Sequence, residues 1–360
     1  INTGILFGGG QIPEANYLMG SLIEGILETS NGAVFGIKAS YMGMAKKEDY
    51  ERMTVEKARM IKNQSGTYFG TCRNFNPASD ENFPKILSQL KAHGIHKLYF
   101  CGGDGTSRAG DEFDKKLKES GYEVSIYWVP CTIDGISGTE SIGKESAVAE
   151  SFKTANNIAM NAWATFDYGL KGPRVAVVEL MGRNRDDILV ATMKKIVSKG
   201  EIGNYKLDEI LLKAIPSDHS WSIDDLLDLV NASEKPTMLL ASEGAVPREF
   251  WFEMLTVKGV ANRITAVIDR KKVKRANADV IGYMSQTNEE SKKIHKKVDS
   301  WVKETIRLST FPHMDAQAIV KNGNKFSTYP LAEIAKLNPN TKKIVPMSEE
   351  DKKFLFPYLP

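Results

Sequence analysis

Short runs rich in Val, Ile, Leu and Tyr alternate along this chain with stretches whose apolar positions recur at helical spacing. The strand-like runs are 4–7, 34–38, 97–101, 124–129, 174–180, 209–214, 237–241 and 279–283. Between them lie amphipathic stretches at 83–92, 108–119, 144–162 and 186–198. Strands each followed by a helix predict βαβ units and a parallel sheet covered on both faces. The expected class is α/β, doubly wound. In such sheets ligands bind beyond the carboxyl ends of the strands, so a motif that carries chemistry should directly follow a strand. Past Ser309 the pattern changes. Pro312, Pro330, Pro339, Pro346, Pro357 and Pro360 punctuate a tail of weak periodicity, read as an extended arm that wraps the body or a neighbouring subunit.

Length and composition narrow this picture. A chain of 360 residues is long enough for two lobes with separate cores. The apolar share of 42% and charged share of 26% are ordinary for a soluble globular protein. A net charge of +3 is too small to argue for nucleic acid or a membrane surface, and neither is expected as a partner. No apolar run approaches the ~20 residues that span a bilayer. The opening INTGILFGGG reads as a strand entering a glycine turn, without the basic start or cleavage site of a signal peptide. Cys72, Cys101 and Cys131 are too few for a disulfide framework and wrongly spaced for zinc, so buried reduced thiols and a cytoplasmic setting are expected. His93, His96, His219, His295 and His313 show no ligand spacing and are read as structural or exposed.

Four motifs follow strands. Gly8-Gly9-Gly10-Gln11-Ile12-Pro13-Glu14-Ala15-Asn16 closes the first. Glycines let backbone N–H groups approach phosphate oxygens, and the next helix start favours an anion, although a tight turn alone would look the same. Neither a Walker A loop nor the dinucleotide fingerprint is present. Cys101-Gly102-Gly103-Asp104-Gly105-Thr106 places a carboxylate inside a glycine turn, where it can hold Mg²⁺ against phosphates. Pro130-Cys131-Thr132-Ile133-Asp134-Gly135 brings a second carboxylate to a strand end, suited to taking a hydroxyl proton or, more plainly, to capping a turn. Val178-Glu179-Leu180-Met181-Gly182-Arg183 ends in an arginine suited to a phosphate or polar sugar.

The order GGGxxPxxN, FGTCR, GGDGT, TID, VELMGR, SEG, IGYM over roughly residues 3–300 resembles the phosphofructokinase family. NAD kinases and related lipid kinases share only GGDGT. The resemblance implies two doubly wound parallel-sheet lobes with the active site in the cleft between them. It divides the chain into a nucleotide lobe (1–135), an acceptor lobe (136–308, with more than one crossing) and the proline-containing arm (309–360). It implies that Gly9, Gly10, Gly102, Gly103, Asp104, Gly105 and Thr106 line the nucleotide phosphates, that Arg73 reaches the transferring phosphates and that Asp104 carries Mg²⁺. Asp134 matches the catalytic base and Thr132 its neighbour. Met181, Gly182 and Arg183 match the sugar-contacting loop, Arg183 with a catalytic role, and Glu243 matches a glutamate on sugar hydroxyls. Arg174 matches an arginine that reaches a neighbouring subunit's acceptor site, which implies a homo-oligomer, dimer or tetramer. Gly105 leaves room for a nucleotide α-phosphate, and Cys131 is uncharged where pyrophosphate users carry lysine, so ATP is the expected donor over pyrophosphate.

Several positions depart from the family pattern. The usual second aspartate after Asp134 is absent in Gly135-Ile136, which slows catalysis unless Glu140 stands in. Positions that serve the sugar 6-phosphate read Asn277, Tyr283 and Gln286, neutral where the family is cationic. Arg270-Lys271-Lys272-Val273-Lys274-Arg275 is either a solvated face or a relocated anion site. Asp186 stands where a glycine is usual, beside Arg185 and Asp187, and suggests extra charge at the acceptor pocket. Two functions follow: a kinase using ATP and Mg²⁺ on a sugar-like hydroxyl, whose acceptor need not be fructose 6-phosphate, or a catalytically weak nucleotide-binding regulator.

Overall fold

The structure, a computed structural model, describes the chain except residues 65, 183, 219–220, 246, 248–258, 272–273, 282–291, 311 and 339–343. The first stretch forms β1 (Asn2–Gly8), α1 (Ala15–Thr29), β2 (Val34–Ile37), α2 (Ser40–Gly43), β3 (Tyr50–Arg52) and α3 (Val55–Lys62). It continues with α4 (Phe83–Ala92), β4 (Ile95–Gly102), α5 (Asp104–Ser120), β5 (Ser125–Thr132) and β6 (Ile142–Gly143). The middle of the chain forms α6 (Lys144–Trp163), β7 (Val175–Leu180), α7 (Asp187–Lys199), β8 (Glu201–Ile202), β9 (Tyr205–Lys206), β10 (Leu211–Ile215), α8 (Ile223–Ala232), β11 (Thr237–Ser242), α9 (Val260–Lys271) and β12 (Ala276–Val280). Last come α10 (Lys292–Leu308), β13 (Gln317–Asn322), β14 (Lys325–Pro330), α11 (Leu331–Leu337) and α12 (Glu349–Leu355).

Two compact units result. The first comprises Ile1–Ser146 and Gln286–Thr341, the second Ala147–Ser285 and Lys342–Pro360. The division therefore runs through α6 and differs from boundaries at 135 and 308. In the first unit the sheet order is β14-β13-β5-β4-β1-β2-β3, with β6 beside β5. The central strands β1, β4 and β5 pair in parallel. Their residues are apolar on both faces, and Ile5, Leu6, Leu98, Phe100, Tyr127 and Trp128 are almost wholly buried, as a sheet covered on both sides requires. The second unit has the parallel order β10-β11-β7-β12, with Val175, Val177, Leu239 and Ala241 in its core.

The tail is not an extended arm. β13 pairs in parallel with β5 at Gln317↔Tyr127 and Ala318↔Trp128, and turns back antiparallel through β14. Ala318 and Ile319 are fully buried. Their apolar character outweighs the scattered prolines, of which Pro330 ends β14 where its missing N–H costs least. No helix among the described residues is long and apolar enough to cross a membrane.

Candidate active site

Three loops leave the first unit's sheet at the carboxyl ends of β1, β4 and β5. Register brings those ends side by side, Gly8 opposite Gly102 and Gly102 opposite Pro130. A Cβ on Gly102 would lie 2.4 Å from Thr106 Oγ1 and 2.5 Å from the Gly8 carbonyl, so this close approach admits only glycine. Thr106 is itself buried, packed between the two glycine turns rather than presented at the surface. Below, the Tyr41 hydroxyl donates to the Thr106 carbonyl at 2.8 Å and Trp128 Nε1 to the Gly102 carbonyl at 3.1 Å.

Asp104 opens α5, where the first-turn amides favour a carboxylate and, beyond it, an anionic ligand. Its side chain is 56% exposed. Oδ1 accepts from the Gly105 N–H at 2.7 Å, and Oδ2 accepts from Arg108 Nη1 at 2.8 Å. The β5 loop lies against this turn, since a Cβ on Gly103 would meet Thr132 Cβ at 3.4 Å. Thr132 Oγ1 accepts from the Asp134 N–H at 3.2 Å, and Ser141 Oγ donates to the Asp134 carbonyl at 3.2 Å. Cys131, near the end of β5 and beside Cys101, is buried, and desolvation pushes its thiol well above the usual range, so it is neutral.

Asn16, quoted above only as the end of a motif, has a definite task. It is buried, its Oδ1 accepts from the Tyr68 N–H at 2.5 Å, and its Nδ2 donates to the Gln64 carbonyl at 3.1 Å. With Thr71 Oγ1 donating to the Gly9 carbonyl at 2.5 Å, it pins the loop that presents Arg73. Arg73 is exposed, and no ion pair binds it among the described residues. The signal for Asn16 in the sequence is an amide placed at a helix start just after a glycine turn, a side chain with four hydrogen-bonding sites to satisfy.

In the second unit the expected acceptor residues fall into two groups. The Glu243 N–H donates to the Leu180 carbonyl at 2.9 Å, which sets Glu243 beside Met181 and Gly182 at the carboxyl ends of β7 and β11. Gly182 has φ +124°, and a Cβ there would lie 2.3 Å from the Arg185 carbonyl. Glu179, buried on β7, accepts from the Ala261 N–H at 3.0 Å at the start of α9; burial raises its pKa despite those amides. Arg174 stands at the other end of β7, roughly 20 Å away for a six-residue strand. Its guanidinium is held bidentately by Asp167 at 2.7 and 2.8 Å and donates to Asn277 Oδ1 at 3.3 Å. Arg183, Tyr283 and Gln286 lie outside the described residues.

Three expectations are corrected here. Asp186 adds no charge to an acceptor pocket: it is 2% exposed and accepts from Ser217 N–H and Oγ, the Asp218 N–H and Ser242 Oγ. Arg185 and Asp187 pair with each other at 2.8 Å. Glu140 does not replace the missing aspartate, because its carboxylate binds Lys321 Nζ and the Gly323 N–H of the β13–β14 turn. The basic run is not one solvated face where its side chains are described: Arg275 is exposed beside Asp269, but Lys274 is buried with Nζ donating to the Ser233 carbonyl at 2.6 Å.

The first unit's loops suit Mg²⁺ held against phosphates. Such a site takes one or two carboxylates and draws its other oxygens from phosphate and water, and Asp104 in its glycine turn offers that. No group of three or more potential ligands of the His, Cys, Asp and Glu types occurs among the described residues.

An α/β protein with glycine turns at adjacent strand ends, one carboxylate at a helix start and another on the next strand has the layout of a phosphoryl-transfer protein. A family model for phosphofructokinase matches residues 2–293, and the chain belongs to that family. It is 33% identical over 192 residues to the ATP-dependent 6-phosphofructokinase of Tolumonas auensis, covering 52% of this chain and 55% of that one. The chain thus matches about half the length of that relative. With the ATP-dependent 6-phosphofructokinase of Streptococcus suis it shares 26% over 261 residues, 71% of this chain and 69% of the other. Among solved structures, the phosphofructokinase of Saccharomyces cerevisiae aligns with TM-score 0.72 and 20% identity, covering 94% of this chain and 45% of that one. The pyrophosphate-dependent phosphofructokinase of Marinobacter aquaeolei aligns with TM-score 0.72 and 17% identity, covering 99% and 91%.

Proposed function

We propose that this protein is a phosphotransferase that moves the γ-phosphoryl group of ATP, with Mg²⁺, to a hydroxyl of a sugar phosphate or sugar-like acceptor. The observation that carries the reading is the apposition of the Asp104 and Asp134 loops at Gly103 and Thr132. The amides opening α5 and the exposed Arg73 hold donor phosphates. Asp134 accepts the proton of the acceptor hydroxyl as its oxygen bonds to the γ-phosphorus and the bond to the bridging oxygen breaks. Mg²⁺ on Asp104 supplies charge neutralisation for the phosphates. Gly105 and the neutral, buried Cys131 support ATP over pyrophosphate. Thr132, Met181, Gly182, Arg183, Glu243 and Tyr283 are assigned to the acceptor. Asn277 and the paired Arg174 weaken the case for fructose 6-phosphate, because a guanidinium already held by Asp167 must exchange that partner for a phosphate. We assign the protein to the cytoplasm and to a homo-oligomer.

The test is Mg²⁺-dependent ADP formation from ATP with a panel of acceptors: fructose 6-phosphate, free sugars and nucleosides. Acceptor-dependent turnover lost in Asp134→Ala establishes the reading. The missing second aspartate, with Glu140 committed to Lys321, favours a second reading as a nucleotide-binding regulator. Nucleotide binding without turnover on any acceptor selects it.

A further inference from the structure

We propose that Asn338, which caps the C-terminus of α11, is a positioning residue for both carboxylate loops and that Arg108 is the arm through which it reaches Asp104. The inference rests on the phosphoryl-transfer reading above. Asn338 is 6% exposed. Its Oδ1 accepts from the Ser137 N–H at 2.9 Å, and its Nδ2 donates to the Ser137 carbonyl at 3.1 Å and to the Ile334 carbonyl at 2.9 Å. Ser137 lies three positions past Asp134, on the turn that carries it. The backbone carbonyl of Asn338 accepts from Arg108 Nη1 at 2.6 Å, and the same nitrogen donates to Asp104 Oδ2 at 2.8 Å.

One residue from the last part of the chain therefore grips the turn after one carboxylate and anchors the cation that grips the other. An amide that satisfies both the N–H and the C=O of a single residue does what a neighbouring strand does, and it fixes that residue in two directions. Asp104 and Arg108 are spaced i, i+4 on α5, a pairing too weak when exposed to hold a carboxylate by itself. Arg108 is only 24% exposed, and the Asn338 carbonyl is the further contact that restricts its guanidinium. Groups that hydrogen-bond a metal-binding carboxylate set its orientation and its affinity. Mg·ADP is a net anion, so the guanidinium fixed beside Asp104 attracts it.

The experiment is calorimetric titration of Mg·ADP into the wild-type chain, Asn338→Ala, Arg108→Met and the double variant, with melting temperatures measured in parallel. Each single variant is expected to bind roughly tenfold more weakly. The double variant is expected to match the weaker single, because Asn338→Ala keeps the backbone carbonyl but frees the end of α11 that positions it, and so acts on Mg·ADP through the same guanidinium; Arg108→Lys is expected to recover part of the loss. Binding equal to wild type in the singles overturns the proposal, as do losses that multiply in the double. A lowered melting temperature with unchanged binding also overturns it, leaving Asn338 as a helix cap alone. If Asn338→Ala does not fold, Arg108→Met and Arg108→Lys decide by the same criterion. A wild type that does not bind Mg·ADP sinks the phosphoryl-transfer reading itself, and this inference with it.

Discussion

Asp134 is placed by its backbone: Thr132 Oγ1 accepts its N–H and Ser141 Oγ donates to its carbonyl, so the loop determines where the carboxylate stands. Replacing it by Asn keeps the shape and removes the base. Asp134→Asn is expected to lower kcat by roughly 10²–10⁴-fold while Mg·ADP affinity stays within twofold, read from steady-state kinetics beside calorimetry. Asp186 shows the opposite use of the same side chain. Its carboxylate ties the loops after β7 and β10 to the end of β11 through Ser217, Asp218 and Ser242. Asp186→Ala strands several buried donors at once, and we expect a loss of about 3 kcal/mol in urea unfolding. From the residue letters alone these two aspartates look alike, each in a strand-to-helix loop. What separates them is the tertiary position of their donors, 31 and 56 residues away in the case of Asp186, which no local pattern carries.

Among elements, the strands that β-branched runs mark are present with ends shifted by a few residues; 97–101 became Ile95–Gly102 and 237–241 became Thr237–Ser242. Helix α5 begins four residues ahead of the expected 108, because Gly-Asp-Gly reads as a loop while tertiary bonds from Tyr41 and Trp128 hold it as a helix start. Helix α1, expected only as a start after the first glycine turn, shows no amphipathic stretch for a different reason. It is buried on most of its circumference, from Leu18 and Met19 to Leu22 and Ile23, so it shows no polar face by which to read a period. At the start of α9 the helix amides lean on Glu179, whose pKa burial raises above 4.5. A carboxyl with a raised folded-state pKa stabilises the fold below its unfolded pKa, and that contribution is lost as pH climbs through the folded value. Glu179→Gln keeps an acceptor oxygen for Ala261 but cannot ionise. The melting temperature of the variant relative to wild type is therefore expected to rise from about pH 4 toward neutrality; a flat difference would show that Glu179 titrates normally.

At the scale of the molecule, the chain's last 52 residues, 309–360, serve both units in turn. Residues up to 341 complete the first, where β13 covers the edge of β5 and Leu331 and Ile334 join its core. Residues from 344 belong to the second, where the Val345 N–H donates to the Asn184 carbonyl at 2.7 Å and the Met347 N–H to Asp218 Oδ2 at 3.0 Å. There Asp351 pairs with Lys194 at 2.6 Å, and the Leu359 carbonyl accepts from Lys213 Nζ at 2.6 Å. Shortening the chain by 344–360 removes these ties and spares every contact named for β1, β4, β5 and Asn338. Hydrogen exchange should then lose protection around α7 and β10 while the amides of β1, β4 and β5 stay protected. Ending the chain at Ser309 instead exposes the β5 edge and removes Ala318 and Ile319 from the core, and should leave no protected sheet in the first unit. Equal protection patterns from the two truncations would mean that the tail is stabilising the chain as a single block, and the two-unit division would then have no energetic counterpart.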